Sequence, residues 1–163
     1  MKRKMLVLIS LLLVAGVLAG CGSQREVGEP VLSVTGDIKK TNSGDKYIYD
    51  EVMFEEQSVD MTIDDVWLGD GMEYSGILLS DIIETVNPGS DVSTIHVVAT
   101  DGKTVKVDLE DAKAMDILMV HYLDGEILGE DVGGPVKIAF GDEAQEEYPE
   151  DSWAWWVVEL KFK

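Results

Sequence analysis

The chain has a single cysteine, Cys21, at the end of an apolar leader, and none of the residues after it carries a thiol. Whatever domain follows must therefore fold without a disulfide, and it has no thiolate for metal ligation or nucleophilic attack. Lys2, Arg3 and Lys4 open the chain. Residues 5–17 are apolar apart from Ser10 and Gly16, and small residues then lead to Cys21. A basic start, a short apolar run and small residues form the layout of a secretory signal, and the run is too short to span a bilayer comfortably.

Leu18-Ala19-Gly20-Cys21 resembles the lipobox of bacterial lipoproteins. That resemblance implies cleavage of residues 1–20 as a signal peptide and a diacylglycerol on the Cys21 thiol. It also implies a further acyl group, such as palmitate, on the new amino terminus. Each buried methylene adds about 0.8 kcal/mol of membrane affinity, so several chains anchor firmly. The expected location is the extracytoplasmic face of a cell membrane. Gly22, where an aspartate would stand, gives no inner-membrane retention signal in a two-membrane cell. Residues 21–30 read as a flexible tether and residues 31–163 as one domain.

The leader holds three of the thirteen basic residues and no acidic ones, so the chain from Cys21 onward carries ten basic against thirty-two acidic residues, a net charge of −22. Nucleic acid and anionic head groups both need a basic surface and are excluded as partners. Such acidity is expected to hold the domain off the membrane that tethers it. The apolar fraction is ample for a core.

Residues 31–35 and 59–63 read as strands, 47–54 is ambiguous, and Gly69, Gly71 and Gly76 mark a loop holding Trp67 and Tyr74. Leu79, Ile82, Ile83 and Val86 share one helical face, with Ser80 as the expected N-cap and Asn87-Pro88-Gly89 as the stop. Residues 94–100 and 103–107 alternate around Asp101-Gly102, a strong hairpin signal. Asp108 is placed to cap a short helix. Residues 117–123 and 136–140 read as strands, and 142–151 as an acidic loop. A final strand over 153–162 puts Ala154, Trp156, Val158, Leu160 and Phe162 on one core face. The whole predicts a mixed α+β domain with largely antiparallel sheets and short helices.

Several landmarks occur in a recognisable order: Tyr74-Ser75-Gly76-Ile77-Leu78-Leu79, the Asp101-Gly102 hairpin, Asp124-Gly125-Glu126-Ile127-Leu128, Gly133-Gly134-Pro135-Val136-Lys137, and Trp155-Trp156-Val157. Together they resemble the molybdopterin-binding domain of the sulfite oxidase family over residues 31–163. The resemblance implies a molybdenum atom on a pterin dithiolene, a cysteine thiolate completing its sphere, polar and basic residues on the pterin phosphate, and two-electron chemistry. It places the thiolate near residues 62–66, where this chain has none; Asp64 and Asp65 are not equivalent donors. Lys137 stands where the family has arginine and meets a phosphate only as a point charge.

The candidate cofactor-binding residues are Trp67, Tyr74, Gly76, Asp101, Gly102, Gly133, Gly134, Pro135, Lys137, Trp153 and Trp155. The Gly-Gly-Pro run suits either a close phosphate approach or a tight turn into a strand. The tryptophans suit either a pocket wall or packing. His96 and His121 make no metal spacing and read as structural, and the acidic run 142–151 matches no calcium loop. No metal site and no serine triad is assembled. Two functions are open. One is a molybdopterin-dependent oxidoreductase-like lipoprotein passing electrons to a membrane redox partner. The other is a non-enzymatic lipoprotein that binds a small ligand or docks in an envelope complex.

Overall fold

The computed structural model describes residues 25–163. The expected signal peptide, the expected lipidation site at Cys21 and the start of the expected tether lie outside them. The described chain folds into two five-stranded sheets with four short helices. The first sheet holds β1 (Leu32–Gly36), β2 (Tyr47–Tyr49), β5 (Thr94–Ala99), β6 (Thr104–Asp108) and β10 (Val157–Phe162), in the order β2-β1-β10-β5-β6. The second holds β3 (Val59–Asp65), β4 (Gly69–Leu78), β7 (Ile117–Leu123), β8 (Glu126–Ile127) and β9 (Lys137–Phe140). In the second sheet β3-β4-β7 are consecutive, and both β8 and β9 pair with β7. Among the described residues only β1 and β10 pair in parallel; the other ladders are antiparallel. The expected mixed α+β class with mainly antiparallel sheets is what forms. Backbone bonds from Ile138 N to Ala154 O (3.0 Å) and from Val157 N to Val136 O (2.8 Å) stitch the sheets together beside β9 and β10.

The ladder registers fix which ends coincide. Leu32 pairs with Tyr49, Ser33 with Glu159 and Val157 with Ala99. The starts of β1 and β10, the end of β2 and the tip of the β5–β6 hairpin therefore share one end of the first sheet. Asp50, just beyond β2, caps α1 (Glu51–Gln57) through the Met53 amide. The same carboxylate accepts from Arg25 and from the Gly28 amide, both at 2.7 Å. The described part of the tether is thus held against the domain at this end.

Local chemistry accounts for most elements. Ile95, Val97 and Ala99 alternate inward on β5, as do Val105 and Val107 on β6. At the turn between them Gly102 has φ +90° and Asp101 accepts from the Lys103 amide. In α2 (Leu79–Val86) Leu79, Ile82, Ile83 and Val86 are buried, about 1.5–3 kcal/mol apiece against exposure. Asn87, left-handed at φ 47°, ends the helix. The N-cap is Leu78 with no side-chain bond, not Ser80: β4 runs straight into the helix and leaves no free turn for a cap. Asp108 caps α3 (Leu109–Ala114) as expected.

Three further expectations are corrected. Residues 69–78 form strand β4 and not a loop, so Tyr74 is a sheet residue; the glycines there serve the hairpin and the ladder. Gly76 is needed because β7 passes so close that a Cβ would meet the Met119 carbonyl. The acidic run 142–151 forms α4 (Asp142–Glu147) and a 3-10 turn (Glu150–Ser152), seated by Ala144. Finally, β10 starts only at Val157, and a bulge between Val157 and Glu159 resets its alternation. Trp156 takes φ +54° and is half-exposed, Val158 is exposed, and Trp153 is the tryptophan in the core.

Two outcomes follow. Gly76→Ala should lower stability by about 2 kcal/mol or more, read as a drop in the denaturant midpoint, because the intruding methyl faces backbone and not a movable side chain. The Asp50 carboxyl is held down to about 2, chiefly by the Arg25 guanidinium, against burial and with help from the Gly28 and Met53 amides. A depressed carboxyl contributes stability above its unfolded pKa of about 3.9 and loses it as pH falls through its folded value. Urea midpoints should therefore fall between about pH 4 and pH 2, and Asp50→Asn should flatten that stretch of the profile.

Candidate binding site

The alternation of β3 turns Ile63 and then Asp65 into the protein. The Asp65 side chain has no solvent exposure. Its Oδ1 accepts the amides of Trp67 (2.8 Å) and Leu68 (3.0 Å), which shapes the β3–β4 turn. Its Oδ2 accepts the Tyr74 hydroxyl at 2.7 Å and an ammonium bond from Lys137. Lys137 opens β9 immediately after the 133–136 turn and is equally inaccessible. Its Nζ also lies 3.3 Å from the Tyr74 hydroxyl. The rings of Trp155, Tyr74 and Trp153 surround the ammonium at 5.1, 5.3 and 5.5 Å, close enough for cation–π attraction.

Burial pushes the Asp65 carboxyl up, but the bonds from Lys137, Tyr74 and the Trp67 amide outweigh it and hold the group below its ordinary value. Burial pulls the Lys137 ammonium down, opposed by Asp65. Burial, reinforced by Asp65, drives the Tyr74 hydroxyl well up, so it remains a donor.

Trp153 and Trp155 also wall a cleft of about 270 Å³, completed by Trp67, Asp101, Lys103 and Trp156. Trp67 stands on the turn that Asp65 shapes and is 55% exposed. Trp155 lies against Gly133, where a Cβ would come within 2.8 Å of its Cγ; only glycine seats the ring there, and its φ of +99° asks for glycine too. Trp156 is fixed on three sides: its amide donates to Gly133 O (2.8 Å), its Nε1 to Glu130 O (2.9 Å), and its carbonyl accepts the Thr100 amide (3.0 Å). Lys103 Nζ donates to Trp153 O at 3.1 Å. A larger hollow of about 670 Å³ lies beside Arg25, Asn42, Met53 and Gln57. It runs along the docked tether, and no aromatic ring is part of its wall.

Of the residues singled out in the sequence, Trp67, Asp101, Trp153 and Trp155 meet in the cleft, and Tyr74 and Lys137 lie closed off beside its walls. Gly133 seats Trp155. Gly134 and Pro135 serve the turn: a Cβ on Gly134 would meet the Leu128 carbonyl, and Pro135 O pairs with His121 Nδ1 at 2.6 Å. Gly102 sits at an open hairpin tip and Gly76 inside the sheet. Asp65, Lys103 and Trp156 were not among the candidates. Asp65 shares the inward phase of Ile63, which is the signal that finds it. His121 is buried, with Nε2 at 2.8 Å from Glu51 and its ring against Phe54, in keeping with a structural role.

A profile of the oxidoreductase molybdopterin binding domain matches residues 53–144. Among solved structures, the fold resembles the sulfane dehydrogenase SoxCD from Paracoccus pantotrophus, with a TM-score of 0.63 and 14% identity. The alignment covers 82% of this chain and 38% of that one, so the chain spans well under half its length. No curated protein sequence matches significantly.

The residues present do not fit a thiolate-ligated molybdenum pterin. The stretch 62–66 offers an inward carboxylate already engaged by four donors. Lys137, the cation after Gly-Gly-Pro, is sealed in an ion pair and cannot reach a phosphate. Among the described residues Lys103 is the one cation lining the cleft. Among the described residues no group of three or more His, Cys, Asp or Glu side chains is arranged to hold a metal ion.

Lys137→Met should cost about 3–5 kcal/mol, because it strands a buried carboxylate. Adding Asp65→Asn should cost less than the sum of the two single changes. Equilibrium denaturation of the four proteins in the cycle measures the coupling.

Proposed function

Because the chain belongs to the oxidoreductase molybdopterin-binding domain family but closes its buried site with an internal ion pair, we propose that it is a lipid-anchored, extracytoplasmic binding protein. On this reading the fold is retained, and a small flat ligand is held between the tryptophans without thiolate-bound molybdenum. The observation that carries it is the Asp65–Lys137 pair set against an open aromatic cleft with shared walls. Ring faces on Trp67, Trp155 and Trp156 supply stacking area. Asp101 and Lys103 offer an acceptor and a donor to the ligand's edge. The lipobox and leader support anchoring through Cys21. Among the described residues no helix is long and apolar enough to cross a membrane.

The family match favours a second reading, a molybdopterin-dependent oxidoreductase-like lipoprotein delivering electrons to a membrane redox protein. One preparation separates the two. The full chain is purified from a host that makes the cofactor, assayed for molybdenum and pterin fluorescence, and melted with a pterin, a tetrapyrrole and a short-chain quinone. The binding reading expects no stoichiometric molybdenum and a melting temperature that rises with one of these compounds. The stabilisation reaches about 2.7 kcal/mol at a hundred times Kd, and Trp155→Ala abolishes it. Stoichiometric molybdenum with pterin establishes the oxidoreductase reading instead. The absence of both metal and any melting shift removes the ligand reading.

A further inference from the structure

The geometry points to the tryptophan cleft end of the domain resting on the lipid interface, with the cleft mouth at the bilayer surface. This rests on the anchoring proposed above.

Three observations converge. First, reach: Arg25 lies four residues beyond Cys21, a span of at most about 14 Å. Arg25 is itself bonded to Asp50 at 2.7 Å, and Gly28 to the same carboxylate. An acylated Cys21 therefore cannot hold the end bearing Asp50 far from the membrane. Second, placement: Asp50 follows β2, and the registers put the end of β2, the start of β10 and the β5–β6 tip at one end of the sheet. Three strand spacings, about 15 Å, separate β2 from β5. The hairpin tip that gives the cleft Asp101 and Lys103 therefore stands three to four strand spacings, about 15–20 Å, from β2 at the same end of the sheet. Third, surface chemistry: among the described residues the exposed large apolar side chains are Val52, Val66, Trp67, Ile127 and Val158. Val66 and Trp67 form the turn at the cleft, Val158 is the second residue of β10, and Val52 is two residues past Asp50. Ile127 lies on β8, paired with Tyr122, whose hydroxyl donates to Glu51 beside Val52.

Tryptophans with apolar faces and polar edges favour the head-group level of a bilayer. The charged groups nearby include Asp64, Asp70, Asp101, Glu130, Asp131, Glu150 and Asp151 against Lys103, so the surface suits zwitterionic lipid and is repelled by anionic lipid. The net acidity elsewhere keeps the rest of the domain in water, and it is the exposed apolar side chains, not a lack of acid, that set the tethered end apart.

The test uses the full acylated chain in phosphatidylcholine vesicles carrying brominated acyl chains, read by tryptophan fluorescence. Quenching with a blue shift is expected, lost in Trp67→Ser and retained in Trp153→Phe, with both variants melting cooperatively. Replacing part of the lipid with phosphatidylserine should weaken quenching at low salt, and added salt should restore it. Vesicle-bound protein without quenching overturns this inference and leaves anchoring intact. Protein that stays unbound with an unmodified Cys21 thiol overturns both.

Discussion

Asp65 is the residue on which the rest of the site depends. One carboxylate, stripped of water, takes an ammonium, a phenol and two turn amides. In doing so it ties β3 to β4 and β9 and decides where the β3–β4 turn, and with it Trp67, stands. A buried charge with this many donors is tolerable; the same charge missing one of them is not. The three rings around Lys137 complete the enclosure, so the most polar group of the interior is surrounded by its most polarisable walls.

That enclosure separates two things a family resemblance usually carries together. The fold is a matter of strand order, a hairpin, a Gly-Gly-Pro turn and a closing aromatic segment, and these are present. The chemistry is a matter of a soft donor and free cations at one place, and there the chain has a hard carboxylate and an occupied lysine. The same turn that would present a cation to a phosphate here delivers it inward.

Much of the fold was legible from pattern. The β5–β6 hairpin and α2 announce themselves because each has one wet and one dry face, so periodicity and burial agree. The failures share a cause. Residues 153–162 read as one uninterrupted strand because alternation was carried through Trp156. A positive φ there and a bulge at Val158 shift the phase, exchanging Trp156 for Trp153 in the core. Ser80 looked like a cap because a strand running directly into a helix leaves no local mark. At the site, Trp67, Trp153 and Trp155 were visible as residue types, whereas Lys103 in the cleft and Asp65 behind it were not, since a charged side chain beside a turn or at the end of a strand is ordinarily solvated. Only the long-range pairing of β3 with β4 and the return of β9 through the 133–136 turn brings Asp65 and Lys137 together across 72 positions.

The parallel pairing of β1 with β10 has a consequence for how the domain comes to exist. β10 lies in the middle of its sheet, between the first strand and the hairpin, yet it is made last of all the elements described. Until residue 162 is available, β1 and β5 have no neighbour in common and the first sheet remains in two pieces. Folding is thereby deferred to the end of synthesis and governed by contacts of high sequence separation, which form slowly. If the proposed export leader acts on this chain, such late closure keeps the polypeptide threadable for as long as threading lasts.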